Sequence, residues 1–215
     1  MKKLGLMVLS LAAVSAAGCL QKETTHTVYI SADGGARWVA EESSVYSDER
    51  EPGARIAEEQ AFIGPALIGG GRMAEAFHAL GSDGLVRTTV IRDERPFHVI
   101  TEAPFASVER MFARLFKETG VPATVTLTRD GDRTTLRIRF DFTREAEERP
   151  SPASVLLEDL DRLRFVVADG EFVAGGGFEI PDRLSARIAR ETLESVGKAM
   201  EARQEMTLTL AWRQP

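Results

Sequence analysis

Few side chains in this chain of 215 residues stand at spacings that support chemistry. The histidines are His26, His78 and His98, too far apart for the short-spaced pair of a zinc site, and Cys19 is the sole cysteine. His78 follows Phe77 on a helical stripe and reads as a helix-edge residue. Asp130-Gly131-Asp132 holds two carboxylates but lacks the further ligands of a calcium loop, so it reads as turn chemistry. Gly69-Gly70-Gly71-Arg72 opens a helix whose free N–H groups suit a phosphate. It lacks the Lys-Ser/Thr ending of a nucleotide loop and no strand leads into it, so we read a flexible connector. No Gly-x-Ser-x-Gly elbow is present. Glu41/Glu42 and Glu58/Glu59 are sequence neighbours, which point apart on a strand or helix and make no acid–base dyad by themselves. The chain is therefore expected to be non-enzymatic, with no cofactor and no metal.

The remaining chemistry lies at the start. Met1, Lys2 and Lys3 are followed by the uncharged run Leu4 to Ala17, and Ser15-Ala16-Ala17-Gly18 leads into Cys19. A basic end, an apolar middle and a small-residue cleavage site make an export signal. Fourteen residues fall short of the roughly 20 that a membrane-spanning helix needs. An ordinary secretory signal cut near Ala17 or Gly18 is the alternative. A lone thiol has no internal disulfide partner and is out of place in an oxidising compartment, so the residue invites another role.

Ala16-Ala17-Gly18-Cys19 resembles the lipobox of a bacterial lipoprotein precursor, although many lipoboxes carry Leu where Ala16 stands. The resemblance covers residues 1–19 only. It implies a diacylglyceryl group on the Cys19 sulfur, cleavage between Gly18 and Cys19, and acylation of the new amine with a palmitate-type chain. Leu20 stands where an Asp would imply retention in an inner membrane. The same resemblance therefore implies the outer membrane, facing the periplasm, if the cell is Gram-negative. Each buried methylene contributes about 0.8 kcal/mol, so two or three chains on one residue hold a protein on the membrane durably.

Loss of residues 1–18 removes Lys2 and Lys3 and takes the formal charge from −6 to −8. The acidic balance and the lack of a basic stripe argue against a nucleic-acid partner. Hydrophobic residues at 43% and charged residues at 28% are ordinary for a globular domain.

The elements follow from periodicity. Residues 19–25 read as a short polar tether. Val28 and Ile30 alternate before Asp33-Gly34-Gly35, a hairpin signal, and Trp38 and Val39 follow it. Residues 54–80 read as helix in two pieces, interrupted by Pro65 and Gly69–Gly71. Residues 85–92 and 97–102 read as strands. Val108, Met111, Phe112, Leu115 and Phe116 mark the clearest amphipathic helix, closed by Gly120 and Pro122. Residues 121–128 and 133–142 form a hairpin about Asp130-Gly131, with Leu136, Ile138, Phe140 and Phe142 on its dry side. Residues 163–168 and 171–178 are predicted to pair about Asp169-Gly170. Residues 182–204 read as one long helix with Leu184, Ile188, Val196 and Met200 on its buried side, and Met206 to Trp212 as a final strand.

The predicted fold is α+β: antiparallel sheet or sheets built from repeated hairpin-plus-helix units, with helices on one face. Residues 26–215 are expected to form one domain; two subdomains split near 143–152 satisfy the same stripes. The predicted function is a lipid-anchored cell-envelope lipoprotein that acts as a binding or scaffold module. One alternative is a carrier of an apolar small molecule or lipid between sheet and helices, with Phe62, Ile63, Leu67, Phe112 and Phe140 as candidate pocket residues. A weaker alternative is an envelope hydrolase built from scattered acids. The expected partners are the membrane, through the anchor, and a protein or apolar ligand.

Overall fold

The computed structural model describes residues 20–144 and 150–214. The leader at residues 1–18 and the lipidation and cleavage positions Cys19 and Gly18 lie outside the described residues. Strands β1 (Leu20–Ile30) and β2 (Ala36–Ser47) pair antiparallel. Their turn closes through Ser31 N donating to Gly35 O at 3.0 Å, with Gly34 at φ +85°. The expected tether at 20–25 is strand instead: Leu20 pairs with Ser47 and Thr25 with Glu41. A ladder is made by backbone groups, so a polar run pairs readily where a partner strand is long enough to meet it.

Helix α1 (Pro52–Leu67) starts on Glu51, whose carboxylate caps Ala54 N, and α2 (Arg72–Ala79) starts on Gly71 at φ +110°. Strands β3 (Arg87–Arg92) and β4 (Phe97–Phe105) form the next hairpin. Helix α3 (Val108–Thr119) is capped by Ser107 Oγ, which accepts from Arg110 N, and ends on Gly120 in the left-handed region. Strands β5 (Ala123–Asp130) and β6 (Arg133–Asp141) pair about Gly131. Two 3-10 turns, Pro152–Leu157 and Leu160–Arg162, precede β7 (Leu163–Val167), β8 (Glu171–Gly176), β9 (Phe178–Asp182) and β10 (Ser185–Ile188). Helix α4 (Arg190–Glu201) and β11 (Glu205–Arg213) complete the described chain.

The strands form two sheets. The larger runs β3-β4-β2-β1-β7-β10-β9 and the smaller β5-β6-β11-β8. All pairs are antiparallel except β1 with β7. The fold is thus α+β and mostly antiparallel. The larger hydrophobic cluster draws on both sheets and on α2 and α3, with Trp38, Phe77, Leu115, Phe165 and Trp212 inside it. A smaller cluster lies beneath α1, where Ile63 and Ala66 pack with Val45, Phe97 and Val99.

Two predicted elements differ. Asp169-Gly170 does not turn a hairpin, because β7 pairs with β1 and β10 in one sheet while β8 pairs with β11 in the other. Gly170, at φ +154°, lets this crossover press onto the end of β11: a Cβ there would stand 2.4 Å from Arg213 O. The long helix predicted over 182–204 is shortened. Ser185–Ile188 forms β10, because the free edge of β7 offers it a ladder in which Ala186 meets Phe165. Asp182 fixes the bend before β10 by accepting from Leu184 N at 2.8 Å and Ser185 Oγ at 2.7 Å.

Candidate functional site: an apolar cavity roofed by α4

The stripe on α3 decides where the cavity lies. Val108, Met111, Phe112, Leu115 and Phe116 are all buried, as spacings of three and four residues on a helix require. Phe112 is the hub: its ring lies 5.8 Å from Trp38, 5.9 Å from Phe165 and 6.2 Å from Phe116. Phe116 continues to Phe140 at 5.4 Å, and Phe165 to Phe178 at 5.5 Å. One aromatic arm thus follows the smaller sheet and the other follows the larger.

Between these arms is a cavity of about 330 Å³. Its back wall is Phe112, Leu115 and Phe116 of α3. The smaller sheet contributes Ile138, Phe140 and Leu208; the larger contributes Leu163, Phe165, Phe178 and Ile188. Every lining side chain is apolar. The volume falls within the range of small-molecule sites, roughly 300–1,000 Å³.

The roof is α4. Leu193, Val196 and Met200 project to the cavity at i, i+3 and i+7, yet all three are only half-buried, and Thr192 is the helix's one fully buried residue. The helix has no side-chain N-cap. It is held at its start by Ala189 N, which donates to Gly177 O at 3.1 Å. Val196, Ala199 and Met200 pack against the main core from one side and border the cavity on the other, so α4 is less deeply embedded than α3.

The predicted pocket residues divide. Phe112 and Phe140 line the cavity together. Phe62, Ile63 and Leu67 do not, because α1 packs over β2 and β4 while the cavity lies beyond β7, toward β9. Ile63 is buried in the smaller cluster, Phe62 lines a separate open cleft of about 470 Å³ with Glu42 and Glu58, and Leu67 is 58% exposed. Sequence reasoning placed Val196 and Met200 on a buried helix side but could not show that they border a cavity. It gave no role to Phe178 or Leu208, whose strands it did not bring together.

Polar groups elsewhere have structural uses. His26, 1% exposed, accepts at Nδ1 from Trp38 Nε1 at 3.2 Å, and its ring meets the indole edge to face. Burial lowers its pKa to about 4; the charge of Asp159 opposes that shift and Lys22 reinforces it. Glu58 and Glu59, expected to point apart, both reach Ser47. Ser47 N donates to Glu59 Oε1 at 3.0 Å, Ser47 Oγ donates to Glu58, and Arg95 Nε lies 3.2 Å from Glu59 Oε1. Ser47 is fully buried, so this cluster ties α1 to β2. A Ser-x-x-Lys pair was expected to be absent, yet Ser195 and Lys198 have that spacing. Both are exposed on α4, and Ser195 Oγ donates to Glu191 O at 2.7 Å. Among the described residues, no group of three or more His, Cys, Asp or Glu side chains could hold a metal ion, and no helix is long and apolar enough to cross a membrane.

No protein-family model matches the chain, and no curated protein matches it. Among solved structures, the chain is similar to the NMR structure of the folded domain of the Mycobacterium tuberculosis LppM protein. That match has a TM-score of 0.37 and 11% identity over 94% of each chain.

Proposed function

We propose that this protein is a lipid-anchored cell-envelope lipoprotein whose α+β domain binds an apolar ligand in the cavity roofed by α4. Two readings from the sequence, a binding module and an apolar-ligand carrier, thereby become one. The observation that carries the binding role is the cavity itself: about 330 Å³, lined by two sheets, α3 and α4, with apolar side chains throughout. Apolar cavities of this kind stay dry and take apolar guests. Helix α3 stands between the two sheets, with Phe112 against Trp38 and Phe116 against Phe140, and α4 serves as a cover. The anchor rests on the Ala16-Ala17-Gly18-Cys19 resemblance and on the use it gives a lone cysteine. Lipidation at Cys19, the outer membrane and the periplasm belong to the same proposal.

Two measurements test its two halves. Titration of the purified protein with the apolar fluorophore N-phenylnaphthylamine should give one saturable, blue-shifted site; no enhancement over buffer removes the carrier role. Cys19→Ala should move the protein from the membrane to the soluble fraction, and unchanged membrane fractionation removes the anchor.

A further inference from the structure

The apolar cavity abuts a second, charged space at the N-terminal end of α4. This vestibule, of about 620 Å³, is lined by Asp161, Glu179, Arg187, Arg190 and Glu194, and shares Ile188 and Leu193 with the cavity. Those two half-buried side chains stand at the boundary, on β10 and on the first turn of α4. Motion of α4 would therefore join an apolar chamber to a charged mouth, with no polar surface between them.

The charges at the mouth are not equally engaged. Arg187 is committed, with Nε 2.7 Å and a terminal guanidinium nitrogen 2.6 Å from Glu179 Oε2. Arg190 is 92% exposed and meets Glu194 only at 3.8 Å, a pair that solvent screens. Asp161 has no ion-pair partner among the described residues. A cation and an anion thus stand loosely held at one mouth.

We infer that this vestibule is the head-group site of the cavity, and that the ligand is a single-chain amphiphile with a zwitterionic head. The inference rests on the apolar-cavity reading above and adds the identity of the ligand's polar end. The chain occupies the space beneath Val196 and Met200. The anionic part of the head faces Arg190 and the cationic part faces Asp161. A fatty acid would use Arg190 alone, and a neutral long-chain alcohol would use neither charge.

The test is calorimetric titration of the purified protein with myristoyl-lysophosphatidylcholine, myristate and tetradecanol, each below its aggregation concentration. The lysolipid should bind about twofold to fivefold tighter than tetradecanol, as solvent-exposed charge pairs supply. Arg190→Gln and Asp161→Asn alter exposed side chains outside the core; each should weaken the lysolipid toward the alcohol and leave the alcohol unchanged. Equal affinity for lysolipid and alcohol overturns the head-group site, as does indifference of the lysolipid to both variants. Myristate binding tighter than the lysolipid overturns the zwitterionic assignment. Failure of all three to bind is a different result, and it removes the cavity reading itself.

Discussion

Val196→Phe is the most informative perturbation of the proposed site. Val196 is half-buried and borders the cavity from the middle of α4, and Thr192 is the helix's one buried residue. The space of about 330 Å³ beneath the half-buried face of α4 has room for a ring added from the helix. A phenyl ring entering from position 196 fills part of it. The added burial is worth about 1–2 kcal/mol, and Val and Phe have similar helix propensities, so the gain is not lost in the backbone. The midpoint of thermal unfolding should rise by about 2–8 °C. N-phenylnaphthylamine affinity should fall by at least about tenfold, because ring and probe compete for one volume. Both are read on protein refolded from guanidinium, to strip co-purifying lipid. Val196→Ala enlarges the space instead: it should lower the midpoint and keep the probe. Higher stability with undiminished probe binding would place the probe elsewhere. An unchanged midpoint with the probe retained would show that no usable space lies beneath α4.

Two further predictions test the frame around the site. Burial holds the folded pKa of His26 at about 4, against 6.5 for the free side chain, so between those values the unfolded chain binds the extra proton. Stability should be complete above about pH 6.5 and fall by up to about 3 kcal/mol as pH drops toward 4, and His26→Gln should flatten that slope in urea unfolding; an identical slope in the variant refutes the assignment. Gly170→Ala forces a Cβ to 2.4 Å from Arg213 O at a positive φ, and should lower stability by about 1–3 kcal/mol in chemical denaturation; an unshifted midpoint would show that the crossover is not so tightly pressed.

What the sequence makes legible here is local. The turns at Gly34 and Gly131 join strands adjacent in sequence, so period-two alternation and an Asp-Gly pair suffice to find them. The α3 stripe is legible for the same reason, since helix spacing and the Gly120 stop lie within thirteen residues. Asp169-Gly170 shows where that reasoning ends. Its flanks alternate as any hairpin would, but Phe165 faces a strand more than a hundred residues earlier, Val28, while Phe172 faces Trp212. Turn chemistry cannot report which sheet a strand joins. Ser185–Ile188 fails similarly: four residues at the head of a helical pattern become strand because β7 has a free edge. The cavity was half-legible. Phe112 and Phe140 follow from two dry faces that must meet something; Phe62 and Leu67 share their apolarity but sit over β2 and β4, a difference fixed by strand order alone.

The same strand order links the proposed anchor to the proposed cavity. Leu20, the first described residue, is already paired with Ser47 in β1 and directly follows Cys19, so an acylated Cys19 would leave little spacer before the sheet. Six residues further along β1, His26 pairs with Leu163, the first residue of β7 and part of the cavity wall. At about 3.3 Å per residue, Leu20 and the rim of the cavity are about 20 Å apart along β1, across a bulge between Gln21 and Glu23. A domain held that close samples the membrane with little freedom to turn away, and a guest leaving the bilayer would have a short path to a chamber with no polar lining. If Cys19 carries the proposed lipid, anchor and cavity would then act as one device, with the tail setting the distance between the bilayer and the cavity rim.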